Sequence, residues 1–455
     1  MITISIPDNF IPERSYVVDM LFREFLGLQY QLTPVSGTQH YEIVLENRKL
    51  ILFKDNFFLK YKDGLDYLNK YAIPGIIQFS KNRFYSDAEI PIIYGDGEMV
   101  VEDNIIICGI DIFASSFFML SRWEEHVNKS RDNHNRFPAI ASLAYRNKLL
   151  DRAVVNEYVE MLWNMLSHLK CPQQRLEREF RTILTHDVDE PFSYALKSPI
   201  TALKQLGNDL LKSKKPVMAF DNAYKWLQIR RGVIELDPYN TFDYIMDTSE
   251  KLNLKSQFHF IAERCTAFDG NYNLHHRLLR KLMRKISTRG HEIGLHSSYG
   301  SADNPFQTRK EIDALKTLCS EEGISQSVWC SRQHYLRWET PTTSDNLEFA
   351  GLDYDTTLSY ADAAGFRCGV CYEFPLFNIL ARQCLKLRER PLVVMECSVI
   401  DERYMNLGTD DEAFAVIKSV KDTCRRFNGD FTILWHNTRF IDPKERELYN
   451  QVLLT

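Results

Sequence analysis

Thr182-Ile183-Leu184-Thr185-His186-Asp187-Val188-Asp189 begins as an apolar, strand-like run and ends on two carboxylates spaced i and i+2. In an extended backbone alternate residues share a face, so Asp187 and Asp189 point into one site. Like charges held this close raise a carboxyl pKa unless a cation or an arginine lies between them, so the pair marks a metal site or an acid/base site. A solvated strand-to-loop turn is the plain alternative, since Asp is common at such ends.

Working outward from this run, short apolar strands alternate with amphipathic helices from about residue 180 to the end, the pattern of a parallel α/β architecture. Strands are expected at residues 182–184, 257–261, 291–295, 328–330, 392–396 and 431–435. Helices are expected at 274–288, 310–322 and 411–427, closed by Gly290, Gly323 and Gly429. Polar residues cluster just past the strand C-termini, where barrels of this kind put their chemistry. Before residue 110, short β-like runs at 2–6, 41–45, 50–53 and 105–108 flank a helical stretch at 16–25, which reads as a smaller α/β domain. Residues 113–125 and 154–169 carry helical periodicity and 173–179 are polar, so the expected domains are 1–175 and 180–455.

A chain of 455 residues with 44% hydrophobic and 12% aromatic content is ordinary globular composition. Its net charge of -5 gives no general pull toward nucleic acid or an anionic membrane. Met1 to Asp8 lack the basic start and apolar region of a secretory signal, and runs such as Ile105 to Cys108 are too short to span a bilayer, so no transmembrane segment and a cytoplasmic location are expected. Ten scattered cysteines fit reduced thiols, and the close pair Cys368 and Cys371 lacks a second such pair to complete a zinc site. Residues 191–236, with Lys212, Lys214, Lys215, Arg230 and Arg231, read as a solvated helical insertion, the alternative being recognition of an acidic substrate such as a nucleotide-sugar.

Three further motifs follow the Asp pair. Gly290-His291-Glu292-Ile293-Gly294-Leu295-His296-Ser297-Ser298-Tyr299 delivers His296 at a strand end and leaves His291 at the opposite, structural end; Ser331-Arg332-Gln333-His334-Tyr335-Leu336-Arg337-Trp338 comes directly after a short apolar run; and Phe431-Thr432-Ile433-Leu434-Trp435-His436-Asn437 ends on His436. In this order the four motifs resemble the polysaccharide deacetylases of the NodB-homology type, carbohydrate esterase family 4, over residues 180–455. The resemblance implies an irregular (β/α) barrel with fewer than eight strands; the N-terminal part looks like the accessory domain that precedes such barrels in some bacterial relatives.

Residue by residue, the resemblance makes Asp187 the base that activates water, Asp189 and His296 ligands of a divalent metal, zinc by preference, His436 the acid that protonates the leaving amine, and Arg332 the partner of the base. The implied activity is hydrolytic removal of N-acetyl groups from a sugar or polysaccharide precursor. One match fails, because the family's second metal histidine falls on Gly300. Either His186, His334 or Asp303 substitutes, or the chemistry runs without metal, or the barrel only binds a glycan. A hydrolase of cyclic imides or ureides on the same barrel is a further alternative. His186, His334, Tyr335 and Asp362 are the expected substrate contacts; Asp362 alternatively pairs with Arg367. Tyr335, Trp338, Tyr354, Tyr360 and Phe366 either stack on sugar rings or pack in the core.

Overall fold

Period-two burial builds a first sheet from β1 (Ile2–Pro7), β2 (Tyr30–Val35), β3 (His40–Val44) and β4 (Leu50–Lys54), the last two alternating half-buried and buried along their lengths. A separate hairpin, β5 (Gln78–Asn82) and β6 (Tyr85–Ile92), is followed by β7 (Gly95–Val101) and β8 (Ile105–Ile110). The sheet order is β2-β1-β3-β4-β8-β7. Helices Ile112–Ser121 and Val154–His168 follow it, near the expected bounds. The computed structural model describes residues 1–198, 200, 201, 204, 207 and 216–455, so Lys212, Lys214 and Lys215 lie outside the described residues. Arg230 ends helix Pro216–Arg230.

The second sheet starts with β9 (Arg181–Val188), β10 (Ser256–Ile261), β11 (Glu292–Ser297), β12 (Cys330–Gln333) and β13 (Tyr354–Asp355), parallel neighbours in chain order. With β14 (Phe374–Asn378), β15 (Gln383–Glu389), β16 (Val394–Met395) and β17 (Asp430–Leu434), the nine-stranded order is β14-β15-β13-β12-β11-β10-β9-β17-β16. β9 is paired on both sides, by β10 and β17, which explains its nearly continuous burial toward Val188. β12 starts later than the apolar run at 328–330, because its ladder with β11 pairs Leu295 with Ser331 and His296 with Arg332.

The sheet curls strongly. Arg332 Nη2 on β12 donates to Thr185 Oγ1 on β9 at 2.9 Å, although three ladders would separate these strands by about 14 Å in a flat sheet. The expected irregular barrel of fewer than eight strands is instead an open half-barrel of nine: the ladders end at β14 and β16, and β16 gives way after two residues to helix Glu396–Ile400. The result is a mixed α/β fold with a half-barrel.

One hydrophobic cluster runs through both sheets. Tyr16 packs on Phe377 with ring centroids 4.8 Å apart, Phe25 on Tyr372 at 5.5 Å, and the Tyr16 hydroxyl donates to the Pro375 carbonyl at 2.8 Å. Beside it, Arg367 forks onto Glu125 at 2.6 and 2.9 Å, and Arg122 donates to Glu125 and to the Tyr360 hydroxyl, all nearly sealed from water. Arg367 and then Arg122 hold the Glu125 carboxyl down at about 2 against the effect of burial. Asp362 therefore has no arginine partner in Arg367. Trp338, Tyr354, Tyr360 and Phe366 are all buried, so these four pack in the core and line no groove. Cys368 and Cys371 are buried and unbridged. Among the described residues no helix is long and apolar enough to cross a membrane.

Candidate active site

Asp187 sits on the concave side of β9, sharing its face with Thr185. Its carboxylate meets His259 Nδ1 at 3.1 Å, Arg332 Nε at 3.6 Å and His296 Nε2 at 3.7 Å. Burial pushes its pKa up, but His296, Arg332 and His259 outweigh burial and hold it well below the usual carboxylate range. Arg332 is fully buried; its Nη2 donates to Thr185 and Thr356 hydroxyls, each at 2.9 Å, leaving Nε to face Asp187. His259 is the residue directly opposite Asp187 in the β9–β10 ladder, and Gly294 is opposite His259 in the next.

Asp189, just past the end of β9, is the meeting point of three histidines. His296 Nε2 lies 3.2 Å and His334 Nε2 3.4 Å from its Oδ1, and His436 Nε2 lies 3.7 Å from its Oδ2. Each ring is fixed by an acceptor at Nδ1: the Arg332 carbonyl for His296 at 2.9 Å, Asp269 for His334 at 3.0 Å, and Glu396 for His436 at 2.5 Å. A carbonyl or carboxylate only accepts, so Nδ1 carries the hydrogen in each ring. In the neutral tautomer the Nε2 lone pairs of His296 and His334 then face Asp189 Oδ1, a buried oxygen with no hydrogen-bond partner among the described residues.

That arrangement fits a divalent metal. Asp189, His296 and His334 offer ligand atoms all within 4.8 Å of one another. The two carboxylate-to-imidazole separations match the edge of about 3.4 Å expected of a tetrahedron with bonds of roughly 2.0–2.1 Å. Asp187 and Asp189 push the His296 pKa up against burial. One carboxylate and two imidazoles leave a coordination position open, as catalytic zinc sites do. The Asp269–His334 pair has the form of an outer-shell carboxylate that orients a ligand histidine.

His436 stands across Asp189 with Glu396 behind it. Burial works against its charged form, yet Glu396 raises the His436 pKa well above the ordinary value. These groups open onto a cavity of about 270 Å³, lined also by Tyr335, Tyr404, Arg136, Arg403, Arg439 and Cys397.

Of the residues singled out in the sequence, Asp187, Asp189, His296, Arg332, His334, Tyr335 and His436 come together here. His186 does not. Strand alternation turns it to the convex face of β9, where it is buried against Phe258 with ring centroids 5.2 Å apart, so it neither touches the cavity nor replaces a ligand. Asp362 is also elsewhere: its carboxylate takes the Ala139 backbone N–H at 3.0 Å. Asp303 is exposed on its loop. Gly300 lies in the turn Tyr299–Ser301, and a Cβ placed there would face Cys265 and Thr266. His259, Asp269, Glu396 and Arg136 had escaped the sequence reading. Glu396 alone left a visible trace, as the polar end of an apolar run like the one ending on His436.

Residues 2–171 match the model of a family of unknown function (DUF7033). No curated protein matches the chain in sequence. Among solved structures, a chain assigned as a polysaccharide deacetylase from Mycobacterium smegmatis is 16% identical with a TM-score of 0.40, covering 61% of this chain and 83% of its own. Puue allantoinase is 12% identical with a TM-score of 0.36, covering 61% of this chain and 84% of its own.

Proposed function

We propose that the chain is a metal-dependent hydrolase of a carbon–nitrogen bond that removes the N-acetyl group of a sugar or polysaccharide precursor. The observation that carries this reading is geometric: three converging ligand atoms, from Asp189, His296 and His334, with the Asp187 carboxylate on one side and the His436 imidazole on the other. Environments that push two groups' pKa values in opposite directions are the signature of a base and an acid at work in one site.

Asp189, His296 and His334 would hold the metal, and zinc suits a donor set of one carboxylate and two imidazoles. Such an ion, when bound, supplies Lewis acidity to a carbonyl and makes water acidic enough for a weak base. Asp187, held ionised by His296, Arg332 and His259, is such a weak base: it accepts the proton of water, and Arg332 keeps its carboxylate charged and oriented. His436, protonated because Glu396 backs it, donates from Nε2 to the departing amine nitrogen, so that an N-acetyl group leaves as acetate. Tyr335 and Tyr404 give the cavity aromatic faces suited to a sugar ring.

The test is acetate release from N-acetylglucosamine and its oligomers, run beside small cyclic imides and ureides, with the full chain purified without chelator and metal measured by elemental analysis. We expect one equivalent of metal, and a loss of at least about 10²-fold in kcat for Asp187→Asn with the metal retained. Unchanged turnover in that variant would remove Asp187 from the chemistry. Glycan binding without turnover under any divalent metal would leave a binding protein, and ring opening without acetate release would transfer the same residues to a cyclic amide.

A further inference from the structure

One wall of this cavity comes from a distant part of the chain. Residues 126–137 lie within the stretch that matches the family of unknown function, yet they run along the loop that follows β12. His126 Nδ1 meets the Thr340 carbonyl at 3.1 Å, Arg131 donates to Glu339 at 2.8 Å, and Arg337 donates to the His134 carbonyl at 3.2 Å. The His134 ring packs on Tyr335 with centroids 4.4 Å apart. Arg136 donates from Nη1 to the Tyr335 carbonyl at 2.9 Å and from Nη2 to the Tyr404 hydroxyl at 3.3 Å. Asp132 locks that guanidinium with contacts of 2.8 and 2.7 Å, and also accepts from the backbone of His134 and Arg136.

The loop so gripped is strained. Tyr335 has φ 62° and Leu336 φ 55°, two successive side-chain-bearing residues in the left-handed region, which persists only where the surroundings impose it. His334 is the residue immediately before them. If the turn relaxes, its Nε2 leaves Asp189.

We propose that this N-terminal strap is a working part of the active site, with Arg136 as a positioning residue that fixes the Tyr335 turn and through it His334 at the metal centre. The inference rests on the reading of His334 as a ligand. It gives the N-terminal region a role in the reaction, where the family resemblance implied only an accessory domain.

The experiment is competition titration of zinc against a chelator on the full-length protein, with circular dichroism and thermal unfolding of the metal-free form measured alongside. His334→Ala should weaken zinc by at least about 100-fold, and Arg136→Ala by about tenfold in a metal-free form that keeps the parent's circular dichroism and a single unfolding transition, the scale of an outer-shell orienting contact. Arg136→Lys, which keeps a donor for the Tyr335 carbonyl, should recover part of the loss. Arg152→Ala, which removes a buried-carboxylate pair with Glu157 elsewhere in the N-terminal region, should leave zinc affinity unchanged. If Arg136→Ala does not fold, His134→Ala takes its place with the same expectation. Full zinc affinity in Arg136→Ala or its substitute, with His334→Ala impaired, overturns the strap alone. Full affinity in His334→Ala overturns both the strap and the ligand reading on which it stands.

Discussion

His186 holds its Nδ1–H to the Trp435 carbonyl at 2.7 Å and faces Ser256 Oγ with Nε2 at 3.1 Å, and burial drives its pKa down to about 3. One residue along the strand, Asp187 faces the cavity; His186, with a histidine's full catalytic repertoire, is a satisfied core group because the pleat turns it away. Its neutrality has a thermodynamic consequence. Between the ordinary 6.5 and about 3 the unfolded chain takes up a proton that the folded chain refuses, so this residue erodes stability as pH falls through that window. At pH 4.5, two units below 6.5, the erosion reaches about 2.7 kcal/mol. His186→Gln, which does not titrate, should be less stable than the parent by about 1–3 kcal/mol at pH 7.5 through poorer hydrogen bonding. That gap should shrink by up to about 2.7 kcal/mol at pH 4.5, read from urea unfolding at the two pH values. An equal gap at both would mean that the folded chain protonates this imidazole as readily as the unfolded chain does.

Parallel strands β9 to β12 set these residues side by side, and the glycine of β11 shows how tightly. A Cβ on Gly294 would lie 2.2 Å from His259 Cδ2 and 2.7 Å from Cys330 Sγ, so the residue must be glycine for His259 to reach Asp187. Gly294→Ala should cost about 1–3 kcal/mol of stability by overpacking. It should also lower kcat by about 10²-fold by displacing Asp187, the base of the proposed reaction; thermal unfolding and acetate release check the two effects, and a fully active, fully stable variant would show that His259 does not orient Asp187. In the sequence Gly294 was legible only as a motif letter. Its reason sits on β10, in a strand expected from its apolar residues but with no motif around His259. The ends of β9, β11 and β17 were legible because apolar runs stop there on Asp or His. Residues 354–389 were not: β13 has two residues, and β14 is buried throughout and shows no alternation. Asp362, expected as a substrate contact or as the partner of Arg367, is neither, because its carboxylate takes the Ala139 N–H and Arg367 is held by Glu125, both far back in the chain.

At the scale of the molecule, the half-barrel borrows both its core and its site from the N-terminal region. Tyr372, Leu376 and Phe377 are each nearly fully buried, in the cluster that includes Tyr16, Phe25 and Phe117, and the rings of Tyr16 and Phe117 lie 4.8 and 5.4 Å from that of Phe377. Cutting the chain near residue 176 would bare this apolar face, and it would leave Arg367 with no carboxylate in place of Glu125. In the intact chain, replacing Glu125 would strip the buried Arg367 of its partner, which costs about 3–5 kcal/mol, a large part of the 5–15 kcal/mol that holds an ordinary protein together. Two sheets joined in this way should unfold together. We therefore expect one calorimetric transition for the full chain, with calorimetric and van't Hoff enthalpies in agreement, and an aggregated or unfolded product when residues 176–455 are expressed alone. Glu125→Gln should lower the unfolding temperature of that single transition without splitting it. Two resolved transitions, or a 176–455 fragment that folds and binds zinc as the whole chain does, would show that the half-barrel stands by itself and that the N-terminal region only leans on it.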